Sequence, residues 1–234
     1  MSRVSDVIDV VRADGNLPVH RWLPASGGGP GVLVLQEIFG VSPYIEQRCA
    51  DLADAGYVVL APELYFRQGR MTFDESSPSY LQEGIGASQR LNWEQTTADA
   101  SATLDALRAA SEVTGKVAIL GFCFGGGLGF QVAAHNPPDA LVAYYGSAIP
   151  SLLELAPKID CPSLHHWGLA DSFFPPAVVE QVHEALSGSA GEVEFHTYEG
   201  ADHAFDNTHP MFFHPQASAL AWTRTLDFLA RSLA

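Results

Sequence analysis

Basic residues are scarce in this chain. Twelve Lys and Arg stand against 27 Asp and Glu in 234 residues, a formal net charge of −15 with neutral histidines. Such a field repels phosphate backbones and anionic lipid headgroups, so no nucleic-acid partner and no membrane partner is expected. Cysteine is sparse too. Cys49, Cys123 and Cys161 are odd in number, widely separated and without a Cys-x-x-Cys pair, which argues against a disulfide framework or a zinc knuckle. Long apolar runs are missing as well. The stretches at 32–35 and 57–62 fall far short of the roughly 20 residues of a membrane helix. The start, Met1-Ser2-Arg3-Val4-Ser5-Asp6 with Asp9 and Arg12 behind it, lacks the apolar run of a signal peptide. Reduced thiols in the cytoplasm are the expectation, with no internal repeat, charge block or inter-domain linker in view.

What is present is enough apolar residue to build a core: 47% of the chain, against 17% charged. A single domain over 1–234 is expected. Two β-like runs, 7–12 and 18–23, flank the turn-forming Ala13-Asp14-Gly15-Asn16 and predict an antiparallel hairpin. The Val/Leu run at 31–36 reads as a strand covered on both faces. Helix and strand then alternate: helices at about 44–55, 93–110, 125–134, 176–186 and 216–232, and strands at 57–61, 116–120, 141–145, 163–167 and 193–198. That alternation predicts an α/β architecture, a mostly parallel central sheet with helices on both faces behind an antiparallel N-terminal hairpin. Residues 66–92, rich in Gly, Ser and Gln, break the rhythm and read as a lid or pocket loop.

The most informative residues are Gly121-Phe122-Cys123-Phe124-Gly125, between a strand and the small-residue helix start Gly126-Gly127-Leu128-Gly129. This is Gly-x-Nuc-x-Gly with cysteine in the place usual for serine. Glycine on both sides suits a sharp turn that holds one residue in a strained conformation, where neighbouring side chains would collide with it. A helix N-terminus beside the sulfur favours thiolate and offers the N–H of Phe124 to a developing oxyanion. The bland alternative is a buried cysteine in a glycine-rich turn.

Such a sulfur needs a base. His203, in Tyr198-Glu199-Gly200-Ala201-Asp202-His203-Ala204-Phe205, follows the last strand, at the sheet edge where open α/β proteins place their chemistry. His165-His166, on an apolar strand, reads as structural. Asp171, in Trp167-Gly168-Leu169-Ala170-Asp171, follows the preceding strand and is the acid candidate. Cys123, Asp171 and His203 then stand in the order nucleophile, acid, base of the α/β-hydrolase fold. Each also has a plainer reading, Asp171 as a helix N-cap and His203 as a solvated loop residue, and the adjacent Asp202 is a rival acid.

The chain resembles the dienelactone hydrolase family, a cysteine-using branch of the α/β-hydrolases. The resemblance rests on Gln36-Glu37-Ile38-Phe39-Gly40, Pro62-Glu63-Leu64-Tyr65, Gly121-Phe122-Cys123-Phe124-Gly125-Gly126, Tyr144-Tyr145-Gly146, Gly168 with Asp171, and His203 with Phe205. It implies that Glu37 helps to form the thiolate once substrate is bound and that Ile38 supplies the second oxyanion N–H beside Phe124. It also implies a part in aromatic-compound degradation. The family holds a carboxylate-bearing dienelactone with arginines. One is expected just after the histidine, where this chain reads Ala204-Phe205-Asp206-Asn207, and Arg67 and Arg90 remain as substitutes.

The expected activity is hydrolysis of a small-molecule ester or lactone through an acyl-thioenzyme, without a cofactor or metal, by a monomer or small homo-oligomer. Two other classes stay open. One is a catalytically idle α/β-hydrolase used as a ligand-binding or thiol-sensing module. The other is a metal hydrolase using His203, His209 and His214, whose spacing matches no ligand motif.

Overall fold

The hairpin expected at the start forms from β1 (Asp6–Arg12) and β2 (Gly15–Trp22), paired antiparallel from Asp6↔Arg21 to Arg12↔Gly15. In this computed structural model, which describes residues 6–69, 71 and 73–234, the chain forms two compact units, residues 1–115 and 116–234. Residues 1–5, part of the charged start read above, lie outside the described residues, as do 70 and 72 of the long connection.

In the first unit, β2 pairs antiparallel with β4 (Val58–Pro62), and β4 pairs parallel with β3 (Gly29–Leu35). Val32, Leu33, Val34 and Leu35 are fully buried, as a continuous apolar run covered on both faces should be. Helix α1 (Pro43–Asp54) starts on Ser42, with proline at its first position where the missing N–H costs nothing. The residues expected as a loop at 66–92 are more ordered than that. They hold a 3₁₀ turn, Phe66–Gln68, and a helix α2, Tyr80–Gln89. The helix escaped notice because Gly84 and Gly86 weaken its propensity. Gly84 is there for packing: a Cβ at that position would sit 2.7 Å from the Phe39 ring, which stacks on Tyr80 at 4.0 Å. Helix α3 (Trp93–Ala109) is capped by Asn92, whose side-chain oxygen accepts from the Gln95 N–H at 2.9 Å.

The second unit holds β5 (Val113–Phe122), β6 (Ala140–Tyr144), β7 (Ser163–Gly168) and β8 (Val193–Tyr198), paired parallel in that order. Helices α4 (Phe124–Ala133), α5 (Pro176–Leu186) and α6 (Pro215–Ser232) alternate with them. Parallel neighbours put every strand's C-terminal end on the same edge, so the loops after Phe122, Gly168 and Tyr198 open together. No helix among the described residues is long and apolar enough to cross a membrane.

Candidate active site

At the end of β5 the chain turns so sharply that Cys123 adopts φ 50°, ψ −111°, a conformation costly for any residue with a side chain. Sequence makes the turn possible. A Cβ on Gly121 would lie 2.1 Å from the carbonyl oxygen of Gly125, so only glycine fits beneath the bend. The strain is held by backbone bonds: the Cys123 N–H donates to the Tyr144 carbonyl at 2.9 Å, and its own carbonyl accepts from Gly126, Gly127 and Ser147. Phe124 is the first residue of α4, where helical N–H groups have no intrahelical acceptor and the dipole is positive.

Two loops converge on the sulfur. After β7, a Cβ on Gly168 would stand 2.2 Å from the Ala201 carbonyl, and the Ala170 N–H donates to that same carbonyl at 2.9 Å. The loop after β7 is thereby laced to the loop after β8. Across the lacing, Asp171 Oδ2 accepts from His203 Nδ1 at 2.8 Å, while His203 Nε2 lies 3.1 Å from Cys123 Sγ. Asp171 also caps its own loop, since Oδ1 accepts from the N–H groups of Phe173 at 2.8 Å and Phe174 at 3.0 Å. The helix-cap reading is not met: α5 begins at Pro176 with Pro175 at its cap position and no side chain capping it, so these bonds brace the loop and not the helix. Asp202 is no rival: its Oδ1 is occupied by the N–H groups of Ser172 at 2.7 Å and His203 at 2.6 Å, fastening the same two loops.

The three side chains are buried, with Cys123 and His203 retaining 8% exposure and Asp171 5%. Burial lowers the affinity of the imidazole for a proton. The Cys123 sulfur and the Asp171 carboxylate outweigh it, and the His203 pKa is pushed up to about 10. The imidazole therefore holds its proton beside the sulfur and the carboxylate. The other two cysteines differ. Burial pushes Cys161 up to about 12 and Cys49 well above its ordinary range, so both stay neutral thiols.

Three rings enclose the imidazole, Phe173 at 5.1 Å, Tyr145 at 5.2 Å and Phe174 at 5.7 Å between centroids. Sequence reasoning missed this cradle, because no spacing rule ties Tyr145 to a histidine 58 positions on. Backbone strain is the signal that marks it: Tyr145 (φ 38°) and Ala204 (φ 58°) join Cys123 as the non-glycine residues of positive φ among the described residues.

Glu37 and Ile38 lie in the first unit, just past β3. Glu37 is buried, and the Ile38 carbonyl accepts from Tyr65 Oη at 2.8 Å. Arg67 is committed within that unit: it pairs with Asp14 and with Asp99, a fully buried carboxylate that Arg12 also holds at 2.8 Å. Both carboxylates raise the Arg67 pKa, Asp14 the more. Arg90 donates to the Gln68 side chain at 3.0 Å and the Gly86 carbonyl at 2.8 Å, on the wall of an open cavity of about 370 Å³ shared with Met71 and Phe73. Asp206, where the family resemblance sought an arginine, is fully buried and accepts from Ser218 Oγ at 2.7 Å. His209 and His214 serve backbone N–H groups of Met211 and Ala217, and no three His, Cys, Asp or Glu side chains among the described residues gather as a metal site.

Parallel strands whose C-terminal ends bring Cys, Asp and His together in that chain order define the α/β-hydrolases, and this chain is one. It belongs to the dienelactone hydrolase family, whose model matches residues 20–233. A carboxymethylenebutenolidase of Pseudomonas putida is 34% identical over 208 residues, 88% of each chain. Carboxymethylenebutenolidase 1 of Cupriavidus pinatubonensis is 30% identical over 232 residues, 97% of each. A solved Klebsiella pneumoniae structure bearing the dienelactone hydrolase name superposes with a TM-score of 0.83 at 29% identity, covering 97% of this chain and 98% of that one. By class the chain is a lactone or ester hydrolase.

Proposed function

We propose that the protein hydrolyses carboxylic esters or lactones through an acyl-thioenzyme on Cys123. The observation that carries this reading is the unbroken relay from Asp171 through His203 to the sulfur, at 2.8 and 3.1 Å. Sγ attacks the carbonyl carbon, and the carbonyl π pair moves onto oxygen. That oxyanion faces the N–H of Phe124 and, by the family pattern, of Ile38. Collapse breaks the C–O bond, and the leaving alkoxide takes the proton from His203 Nε2. Water then gives a proton to the neutral imidazole as its oxygen bonds to the thioester carbon, and the thiolate leaves with the acid as product. Asp171 stays ionised and keeps the ring oriented.

The family pattern gives Glu37 the task of receiving the thiol proton when substrate arrives. Replacing Glu37 with Gln would then slow acylation while leaving deacylation of a preformed thioester near the native rate. The pattern also leaves Arg67 and Arg90 as candidate substrate contacts. A place in aromatic-compound degradation, which the resemblance also implies, would be supported by turnover of an unsaturated five-membered lactone and removed by turnover confined to acyclic esters. The central test is Cys123→Ala against aryl esters and lactones: native-like rates in that variant end the proposal, and a burst of alcohol release in the native protein supports it.

A further inference from the structure

The edge of the site has a chemical character that the catalytic set does not require. Phe173 remains 52% exposed although its ring lies 5.1 Å from the His203 imidazole. An ester poised for attack by Sγ lies within a few ångströms of Nε2, which protonates the leaving oxygen, so a leaving group beside the imidazole has this ring within reach. The adjacent charge is negative. Asp202 is exposed, and its carboxylate sits 2.6 Å from the His203 backbone nitrogen.

Basic side chains of the second unit have other partners, Arg224 donating to the Tyr198 hydroxyl at 3.2 Å. Lys116 holds the terminal carbonyls of Ser232 and Ala234, Arg231 pairs with Glu194 at the start of β8, and Arg224 lies over the Tyr198 ring. Lys158 ends a 3₁₀ turn whose next residue, Ile159, accepts from Ala190 and Gly191 ahead of β8. That is the opposite end of the strand from the His203 loop. A free carboxylate beside the His203 loop therefore meets the like charge of Asp202, and an apolar ring meets Phe173.

We infer that Phe173 and Asp202 determine specificity, directing the site to uncharged substrates with an aromatic or apolar group beside the scissile bond and against those carrying a free carboxylate. The inference rests on the acyl-thioenzyme reading. Its test compares 3-(4-acetoxyphenyl)propanoate with the corresponding carboxamide, two aryl acetates that differ in charge far from the reacting bond, and adds ethyl acetate as an ester without the ring.

The native protein is expected to favour the carboxamide by about tenfold in kcat/KM at low salt, and less at high salt. Asp202→Asn, which keeps an oxygen to accept both N–H groups, should narrow that ratio about three- to tenfold. Phe173→Ala should raise KM for the aryl acetates about five- to thirtyfold relative to ethyl acetate, with Phe173→Leu recovering part of it. Preference for the propanoate, an unmoved ratio in Asp202→Asn, or an equal fall of kcat on all three esters in Phe173→Ala would overturn the inference while turnover still depended on Cys123. Turnover that survives Cys123→Ala, or no turnover of any ester, would instead remove the underlying reading and this one with it.

Discussion

Two buried histidine regions of the second unit show opposite chemistry. His203 and the pair His165-His166 are all buried, yet the His203 pKa is pushed up to about 10 while burial drives His165 down to about 3 and His166 well below its ordinary range. Partners make the difference. His203 stands between a sulfur and a carboxylate. His166 is bonded to two neutral hydroxyls, Tyr198 at 2.8 Å and Thr225 at 3.1 Å, and neither ring nitrogen of His165 has a hydrogen-bond partner among the described residues. Desolvation alone keeps an imidazole neutral, and an adjacent anion is needed to hold its proton.

Removing the sulfur is the strongest way to break this contrast. Cys123→Ala is expected to lower kcat on aryl esters by about 10⁴-fold or more and to bring the His203 pKa down from about 10, which NMR titration of the ring would read. Asp171→Asn keeps the shape and loses the charge. A fall of about 10²–10⁴-fold in kcat is expected, because the ring loses the acceptor that orients it. A variant retaining native turnover would show that Asp171 serves only the Phe173 and Phe174 N–H groups.

Stability against pH should show both regions with opposite signs. His165 is neutral when folded, whereas the unfolded chain protonates it below about pH 6.5. The unfolded state therefore binds more protons between about 6.5 and 3, and stability falls as pH drops through that window, by roughly 5 kcal/mol at most from this residue. His203 acts the other way. Its folded form keeps the proton up to about pH 10, so its contribution is complete below pH 6.5 and lost as pH rises towards 10. Denaturant melts at several pH values should find the acid limb flattened by His165→Phe and the alkaline limb flattened by Cys123→Ala. Swapped effects would refute the assignment.

The smallest expected effect concerns His166. Tyr198→Phe removes its Nδ1 partner without adding or deleting a charge, and a loss of about 1–3 kcal/mol is expected from the unpaired buried nitrogen. The ester kcat should stay within a few-fold of native. A large fall in kcat at native stability would mean that His166 shares in the catalytic relay, and the contrast between the regions would have to be redrawn.

Much of the architecture was legible because each element carried a local signal. The Val/Leu run of β3 and the Gly-x-Cys-x-Gly turn report their environments through residue type alone. Helix α2 was hidden by Gly84, whose value lies in a contact with Phe39 that is 45 positions away in the chain. Asp171 looked like either a helix cap or a catalytic acid, and only geometry shows one oxygen on the His203 ring and the other on N–H groups of its own loop, ahead of a helix that it does not cap. The sequence does not reveal that Arg67 pairs with the buried Asp99, 32 positions on in the chain.

By itself the sequence determined which residues can do chemistry and in what order the strands deliver them, because glycine tolerance, helix periodicity and apolar runs act over a few neighbouring positions. Only tertiary structure decided how those residues are charged and enclosed. The raised pKa of His203, the ring of Phe173 at its side and the lacing of Gly168 to Ala201 all depend on groups far apart in the chain, and electrostatics and packing depend on distance in space.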